Sequence, residues 1–390
     1  MRRVLAFSGL VVGWVALAPS AQAIPAFARR YGVECHFCHE GYPKLNNMGK
    51  RFKERGFRMA NEDPFDASKW IRSVPVAVRG WANQLLVEDF DDASSGYLKA
   101  ISAGNLGKRV SYWADDAMLI TEGDDNFTHI KPTNAWLRID IVSDEKLYLK
   151  GGRLELDLPF TQIRTPHLFS YDVYQATTGF ESDNIGGYQD GVEIGGALPR
   201  EWRWSAAVVK GRNDRTAEAF TDEASKFDAN VFLRGSKRVN RNRFGGFAYI
   251  GRNTLARSAA VVWKNSFQRY GLDADVWLGK LNLYGVYMHG RDSNPYASAA
   301  RPTGTNIAQT FDGGFLQADY HLLTRLILTA RFNAVSEPSD PVTGSAKKTS
   351  SNFFPGVQFF FFERGKLSFE YGFLNQDRRS YGAIQAEFAF

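Results

Sequence analysis

From residue 67 to the carboxyl end, apolar and polar side chains alternate along most of the chain. Leu137, Ile139 and Ile141 alternate with Arg138 and Asp140, and Leu272, Ala274, Val276 and Leu278 with Asp273 and Asp275. Leu326, Leu328, Ala330 and Phe332 alternate with Thr329 and Arg331. Leu367, Phe369, Tyr371 and Phe373 do so with Lys366, Ser368 and Glu370. A period of two is the period of a strand with two different faces. A soluble sandwich would show the same alternation, so the connections have to decide between the two architectures. About sixteen such segments can be counted, a porin-like number. They begin near Ser73, Leu98, Val110, Asn134, Leu147, Asp190, Trp202, Asp228, Arg243, Tyr270, Leu281, Phe311, Leu326, Asn352, Lys366 and Tyr381. The links between them alternate short and long. Asn105 to Lys108, Ser143 to Lys146, Pro199 to Glu201, Gly279-Lys280, His321 to Thr324 and Glu363 to Gly365 are short; 157–188, 211–227, 290–310 and 336–349 are long. Short turns at one end and long loops at the other predict a closed transmembrane antiparallel β-barrel. A sandwich has no reason to sort its loops in this way.

Both ends of the chain agree with export to an outer membrane. Arg2 and Arg3, the apolar run Leu5 to Ala18 and the small-residue site Ala21-Gln22-Ala23 read as a secretory signal over residues 1–23. The apolar run falls short of the ~20 residues that a spanning helix needs. The last ten residues alternate and end on Phe390, as a closing barrel strand would. Trp70, Trp81, Trp113, Trp136, Trp202, Trp204, Trp263 and Trp277 lie in or near the expected strands, where some would form interfacial girdles. The net charge of +6 is spread among interspersed acids and bases. No basic block or aromatic-basic module argues for nucleic acid.

Residues 24–66 have a different character. Cys35-His36-Phe37-Cys38-His39 is a C-x-x-C-H sequence, the attachment signature of c-type haem. Two thiols three positions apart can reach two vinyl groups on one edge of a porphyrin, and the following histidine can offer a neutral imidazole nitrogen to iron. A thioredoxin-like redox pair would need a surrounding βαβ pattern, which is missing. Zinc would need further ligands, and these are the only two cysteines in the chain. One covalent haem c on Cys35, Cys38 and His39 is therefore expected. Leu45, Met48 and Phe52 share one face of a short helix that Gly56 should stop. Met48 is the first candidate for the sixth ligand and Met59 the second, because a Met/His pair raises the iron's potential. Met48 as plain apolar packing is the alternative. His129 and His167 fall in expected outer loops, and His289 ends a strand. Each reads as a surface or lumen histidine.

So small a segment seldom buries a sufficient core alone, so the barrel is expected to shelter it. The apolar band of such a barrel is ~25 Å tall, and a haem inside the lumen would divide that gap. Arg138, Asp140, Arg331 and Glu370 are the lumen-facing residues expected to hold the plug. Two carboxylate clusters, Glu88, Asp89, Asp91 and Asp92, then Glu122, Asp124 and Asp125, fall in the first outer loops. They could gather Fe(II), but ordinary loop solvation, or bridging to lipid headgroups, is the preferred reading.

Pro25-Ala26-Phe27-Ala28, the Cys35-to-His39 motif, Tyr42-Pro43, Leu45, Met48-Gly49 and Phe52 to Phe57 together resemble the fused monohaem cytochrome–porins of the bacterial outer membrane, which include the iron-oxidising outer-membrane cytochrome of iron bacteria. The resemblance implies a signal peptide (1–23), a monohaem cytochrome c segment (24–66) plugging the barrel, and an outer-membrane barrel (67–390). It also implies passage of electrons from an extracellular donor such as Fe(II) to a periplasmic c-type cytochrome or other carrier, an Fe(II):cytochrome c oxidoreductase activity. The alternatives are a solute porin with a haem-bearing plug and, third, a haem peroxidase. No distal acid–base constellation near the motif supports the last.

Overall fold

The computed structural model describes residues 26–59, 76–86, 94–122, 125–127, 132–142, 145–161, 167–178, 185–210, 228–258, 261–296, 307–339, 344, 346–375 and 380–389. The expected signal and both loop carboxylate clusters lie outside them, except for the strand residues Glu122 and Asp125.

Alternation becomes a closed antiparallel barrel of sixteen long strands, running from Val76–Leu86 to Ser380–Ala389. Each strand pairs with its sequence neighbours. The last closes on the first, with Gly382 opposite Leu86 and Ala389 opposite Arg79. A three-residue strand, Asp125–Phe127, folds back on the end of Val110–Glu122 and adds no stave. The segment expected from Tyr270 in fact starts at Val261, and its partner runs Asn242–Ser258. Strands of 17 and 18 residues exceed the ~9–11 that cross the hydrocarbon. Beyond the apolar band alternation is not required, so Arg252, Asn253, Lys264 and Asn265 concealed this extension.

The side-chain distribution is the reverse of a soluble protein's. Leu272 is 68% exposed and its neighbour Asp273 7%; Phe332 is 49% exposed and Arg331 1%. Lys366, Ser368 and Glu370 are buried, while Leu367, Phe369 and Phe373 point outwards. Apolar side chains facing out and charges facing in are stable only where lipid replaces water outside.

Among the described residues, two segments enter the lumen. The long connection after Leu147–Glu155, expected as an outer loop, turns inward. Its short helix Asp172–Gln175 and the flanking Tyr171 and Ile185 bury themselves among Tyr284, Met288, Phe311, Phe315 and Val335 of the far strands. Tyr171 stacks on Phe315 with centroids 4.1 Å apart, a pair worth ~0.5–1.5 kcal/mol beyond its burial. The second segment is amino-terminal. It meets the short turns: the Cys35 amide donates to Glu363 (3.0 Å), Arg51 to Glu201 (2.9 Å) and Arg55 to Glu145 (2.6 Å). In an outer-membrane barrel the short turns are periplasmic, so this plug occupies the periplasmic half of the lumen.

Candidate functional site

Four short elements build the plug: helix α1 (Ala26–Tyr31), a 3-10 turn at Cys35–Phe37, a hairpin pairing His39 with Leu45, and helix α2 (Asn47–Glu54). Asn46 joins turn to helix. Its Oδ1 accepts from the Gly49 amide (2.9 Å), capping α2. Its Nδ2 donates to the His36 and Phe37 carbonyls at 3.0 Å each, and its amide to the Cys38 carbonyl at 2.9 Å. At the other end Gly56 takes φ +62°, and the Phe57 amide returns to the Phe52 carbonyl at 2.9 Å. This is the left-handed stop expected of that glycine.

Above this turn lies a cavity of about 430 Å³, bordered by Cys35, Cys38 and His39. That volume lies in the ~300–1,000 Å³ range of cofactor-sized pockets. The His39 ring is enclosed, and burial lowers it to about 4, so the imidazole is neutral. Its Nδ1–H donates to the Pro43 carbonyl (3.2 Å), the carbonyl being able only to accept. That bond assigns the lone pair to Nε2. Cys35 and Cys38 are half-buried free thiols. Burial, then the neighbouring Glu363 carboxylate, pushes Cys35 up to about 11, and burial raises Cys38.

One wall is aromatic. Phe27 meets Phe52 edge-on and Phe57 face-on, both at 5.0 Å, and Phe57 stacks on Trp136 of the barrel at 5.9 Å. Trp113 and Met59 complete it. Asn105 of a barrel strand donates to the Phe57 carbonyl (2.9 Å), as does Tyr31 (3.0 Å). Trp113 and Trp136 are thus cavity residues and not girdle residues. The signal was in the sequence, since Trp136 has the parity of the inward-facing Arg138 and Asp140. Trp202, half-exposed beneath the Lys237 ammonium (5.3 Å), is placed as a girdle residue would be.

Charge holds the plug. Lys44 bonds Asp319 (2.7 Å) and Asn282 (2.5 Å), Lys50 bonds Asp275 (2.6 Å), and Glu54 meets Arg238 (3.0 Å). Burial would raise the Glu54 carboxyl, but Arg203, Arg238 and Arg243 outweigh it and hold Glu54 below its ordinary range. Of the four residues expected to grip the plug, two do so. Arg138 donates to the Glu54 carbonyl (2.6 Å) and Asp140 accepts from Arg58. Arg331 and Glu370 grip the inward loop instead. Glu370 accepts from the Leu168 amide (3.0 Å) and meets His167 (3.1 Å), while the Arg331 guanidinium lies 5.3 Å from the Tyr171 ring centre.

The cavity unites Cys35, Cys38 and His39 but not Met48. Met48 is not among the cavity-lining residues, although Leu45 and Phe52, which share its nominal face, both are. Met59, the second choice, does line the cavity. His167 is buried against Tyr284 (2.8 Å), His289 meets Asp312 (2.9 Å), and His129 lies outside the described residues.

No family model and no curated protein matches the chain. Solved structures do. Salmonella typhi OmpF, in a complex with daunomycin, is 10% identical with a TM-score of 0.57, covering 81% of this chain and 97% of its own. The anion-selective porin from Comamonas acidovorans is 11% identical with a TM-score of 0.55, over 81% and 99% of the two chains. Pseudomonas putida OprB, at high pH, is 8% identical with a TM-score of 0.55, over 81% and 93%. The chain therefore has the fold of outer-membrane porins. With its inverted side-chain distribution, that fold makes it an outer-membrane barrel of a Gram-negative cell.

Proposed function

We propose that the protein is an outer-membrane electron-transfer protein. One haem c would be bound through thioether bonds to Cys35 and Cys38 and ligated by His39. Its electron donor would be extracellular, Fe(II) being the candidate, and its acceptor a periplasmic c-type cytochrome or similar carrier. The observation that carries this reading is that the three motif side chains open on one cavity inside the lumen. When bound, the haem supplies a one-electron iron couple.

The chain's own residues have separable tasks. The Pro43 carbonyl orients His39 and keeps Nε2 available. Phe27, Phe52, Phe57 and Trp136 exclude water from one wall and offer flat apolar contact. Lys44, Lys50, Arg55 and Glu54 fix the plug against the barrel. The resemblance to cytochrome–porins supports the same reading, as does the lumen position of the plug.

A second reading, a solute porin with a haem-bearing plug, is supported by the porin fold of the neighbours and the polar lumen. One set of experiments separates the two. Purified protein should show a covalent c-type haem spectrum, lost in Cys35→Ala/Cys38→Ala. Stopped-flow mixing with Fe(II) should reduce it, and planar bilayers should show negligible conductance. Open-channel conductance without reduction by Fe(II) would favour the porin. Lack of covalent haem would remove both readings.

A further inference from the structure

Three arginines line the lumen wall facing the motif, and one of them pairs directly with no carboxylate among the described residues. The Cys35 amide is bound to Glu363, in the turn between the fourteenth and fifteenth of the sixteen strands. Arg203, Arg234 and Arg243 lie on the seventh, eighth and ninth, so barrel order sets them roughly across the lumen, and all three border the same cavity. Arg203 is engaged by Glu145 (2.7 Å) and Arg234 by both oxygens of Asp273 (2.8 and 2.9 Å). Arg243 forms no ion pair among the described residues. Its guanidinium donates only to the Pro159 carbonyl, at 3.4 Å. It nevertheless keeps accessible surface, and that surface faces the cavity.

Glu54, Asp157 and Asp273 act on this guanidinium only through space, so it keeps donors that no anion bonds directly, and in an enclosed site an added anion would complete it. Its planar fork of donors suits a carboxylate. A haem bound by its two vinyl positions presents its two propionate carboxylates at the opposite edge of the ring. We propose that Arg243 is the anchor for a haem propionate, with Arg203 and Arg234 supplying a positive field behind it. This inference rests on the haem reading above and extends it to a positioning residue far from the motif in sequence.

The test uses the holoprotein. Arg243→Gln should retain covalent haem, because attachment depends on Cys35 and Cys38. Loss of a nearby cation should lower the midpoint potential. A propionate released from its partner should titrate nearer neutrality, so the potential of R243Q should become more pH-dependent than that of the wild type. Arg243→Lys, which keeps the charge, should restore much of both. In the wild type, reduced-minus-oxidised infrared spectra should show ionised propionate and no protonated-acid band down to mildly acidic pH. A wild-type potential and pH profile in R243Q, with haem content intact, would overturn the proposal. A protonated-acid band in the wild type would also do so, whether or not the variants assemble. Absence of covalent haem from the wild type would instead overturn the function on which this subsite rests.

Discussion

Gly49 packs directly on the carbonyl of Cys38: a β-carbon at residue 49 would lie 2.1 Å from that oxygen. Helix α2 therefore crosses the C-x-x-C-H turn at backbone contact, and only a residue without a side chain allows the crossing. Gly49→Ala should force the helix off the turn at ~1–3 kcal/mol. The loss should appear as a lower urea midpoint for plug unfolding, followed by tryptophan fluorescence, with the barrel's heat-modifiable gel migration unchanged. An unaltered midpoint would show that the contact is looser than described.

Asn46 makes the neighbouring prediction. It caps α2 and holds the His36 and Phe37 carbonyls. Asn46→Ala should cost ~1 kcal/mol for the cap, with a further ~1 kcal/mol for the bonds to the turn. Asn46→Asp keeps the cap but cannot donate, so it should lose the second part only. The ratio of the two in the same denaturation assay is the check.

Lys50 and Asp275 form a pair of low exposure between plug and barrel, at 2.6 Å. Removing one partner of a fully buried pair costs ~3–5 kcal/mol. Lys50 keeps some water contact, so about half of that is expected for Lys50→Met. The variant should raise single-channel noise in planar bilayers and expose the plug to protease. Lys50→Met/Asp275→Asn should recover part of the loss, and a double-variant loss equal to the sum of the two single losses would show that the pair is not coupled.

Acid should undock the plug through Glu54. Its carboxyl is held below the ordinary 4.5 by Arg203, Arg238 and Arg243, against the effect of burial. A depressed folded value means that the stabilisation is complete above about pH 4.5 and fades as pH falls below it through the folded value. Protease protection of the plug should accordingly be flat from neutrality to about pH 5 and decline below about pH 4.5. Glu54→Gln should be weaker at neutral pH and show a smaller acid step, the remainder belonging to the Lys50–Asp275 and Lys44–Asp319 pairs.

His167 ties the inward loop to the barrel through Glu370 (3.1 Å) and Tyr284 (2.8 Å). His167→Ala should leave both groups short of a partner at ~1–3 kcal/mol and increase conductance fluctuations. Haem content should not change, because Glu370 and Tyr284, the partners lost, lie on barrel strands outside the motif. A fall in haem content with unchanged conductance would mean that the loop serves the cavity and not the pore.

The sequence alone determined the barrel, because a closed sheet in lipid imposes one local rule on every strand. Leu367, Phe369 and Phe373 must face out and Lys366, Ser368 and Glu370 in, and that rule is written residue by residue. It also determined the motif and the stop at Gly56, where spacing and backbone conformation are local. Only tertiary structure decided what filled the lumen. The 157–188 connection reads as an outer loop, yet Tyr171 and Tyr174 find their core on strands far along the chain. Met48 shares a nominal face with Leu45 and Phe52, yet only those two of the three line the cavity, beside Gly49 where α2 crosses the turn. Arg243 could not be singled out among 48 Lys and Arg residues, because its lack of a directly bonded carboxylate among the described residues is a property of its surroundings. Alternation is enforced along the chain, whereas the contents of the lumen depend on which distant side chains meet once the sheet has closed.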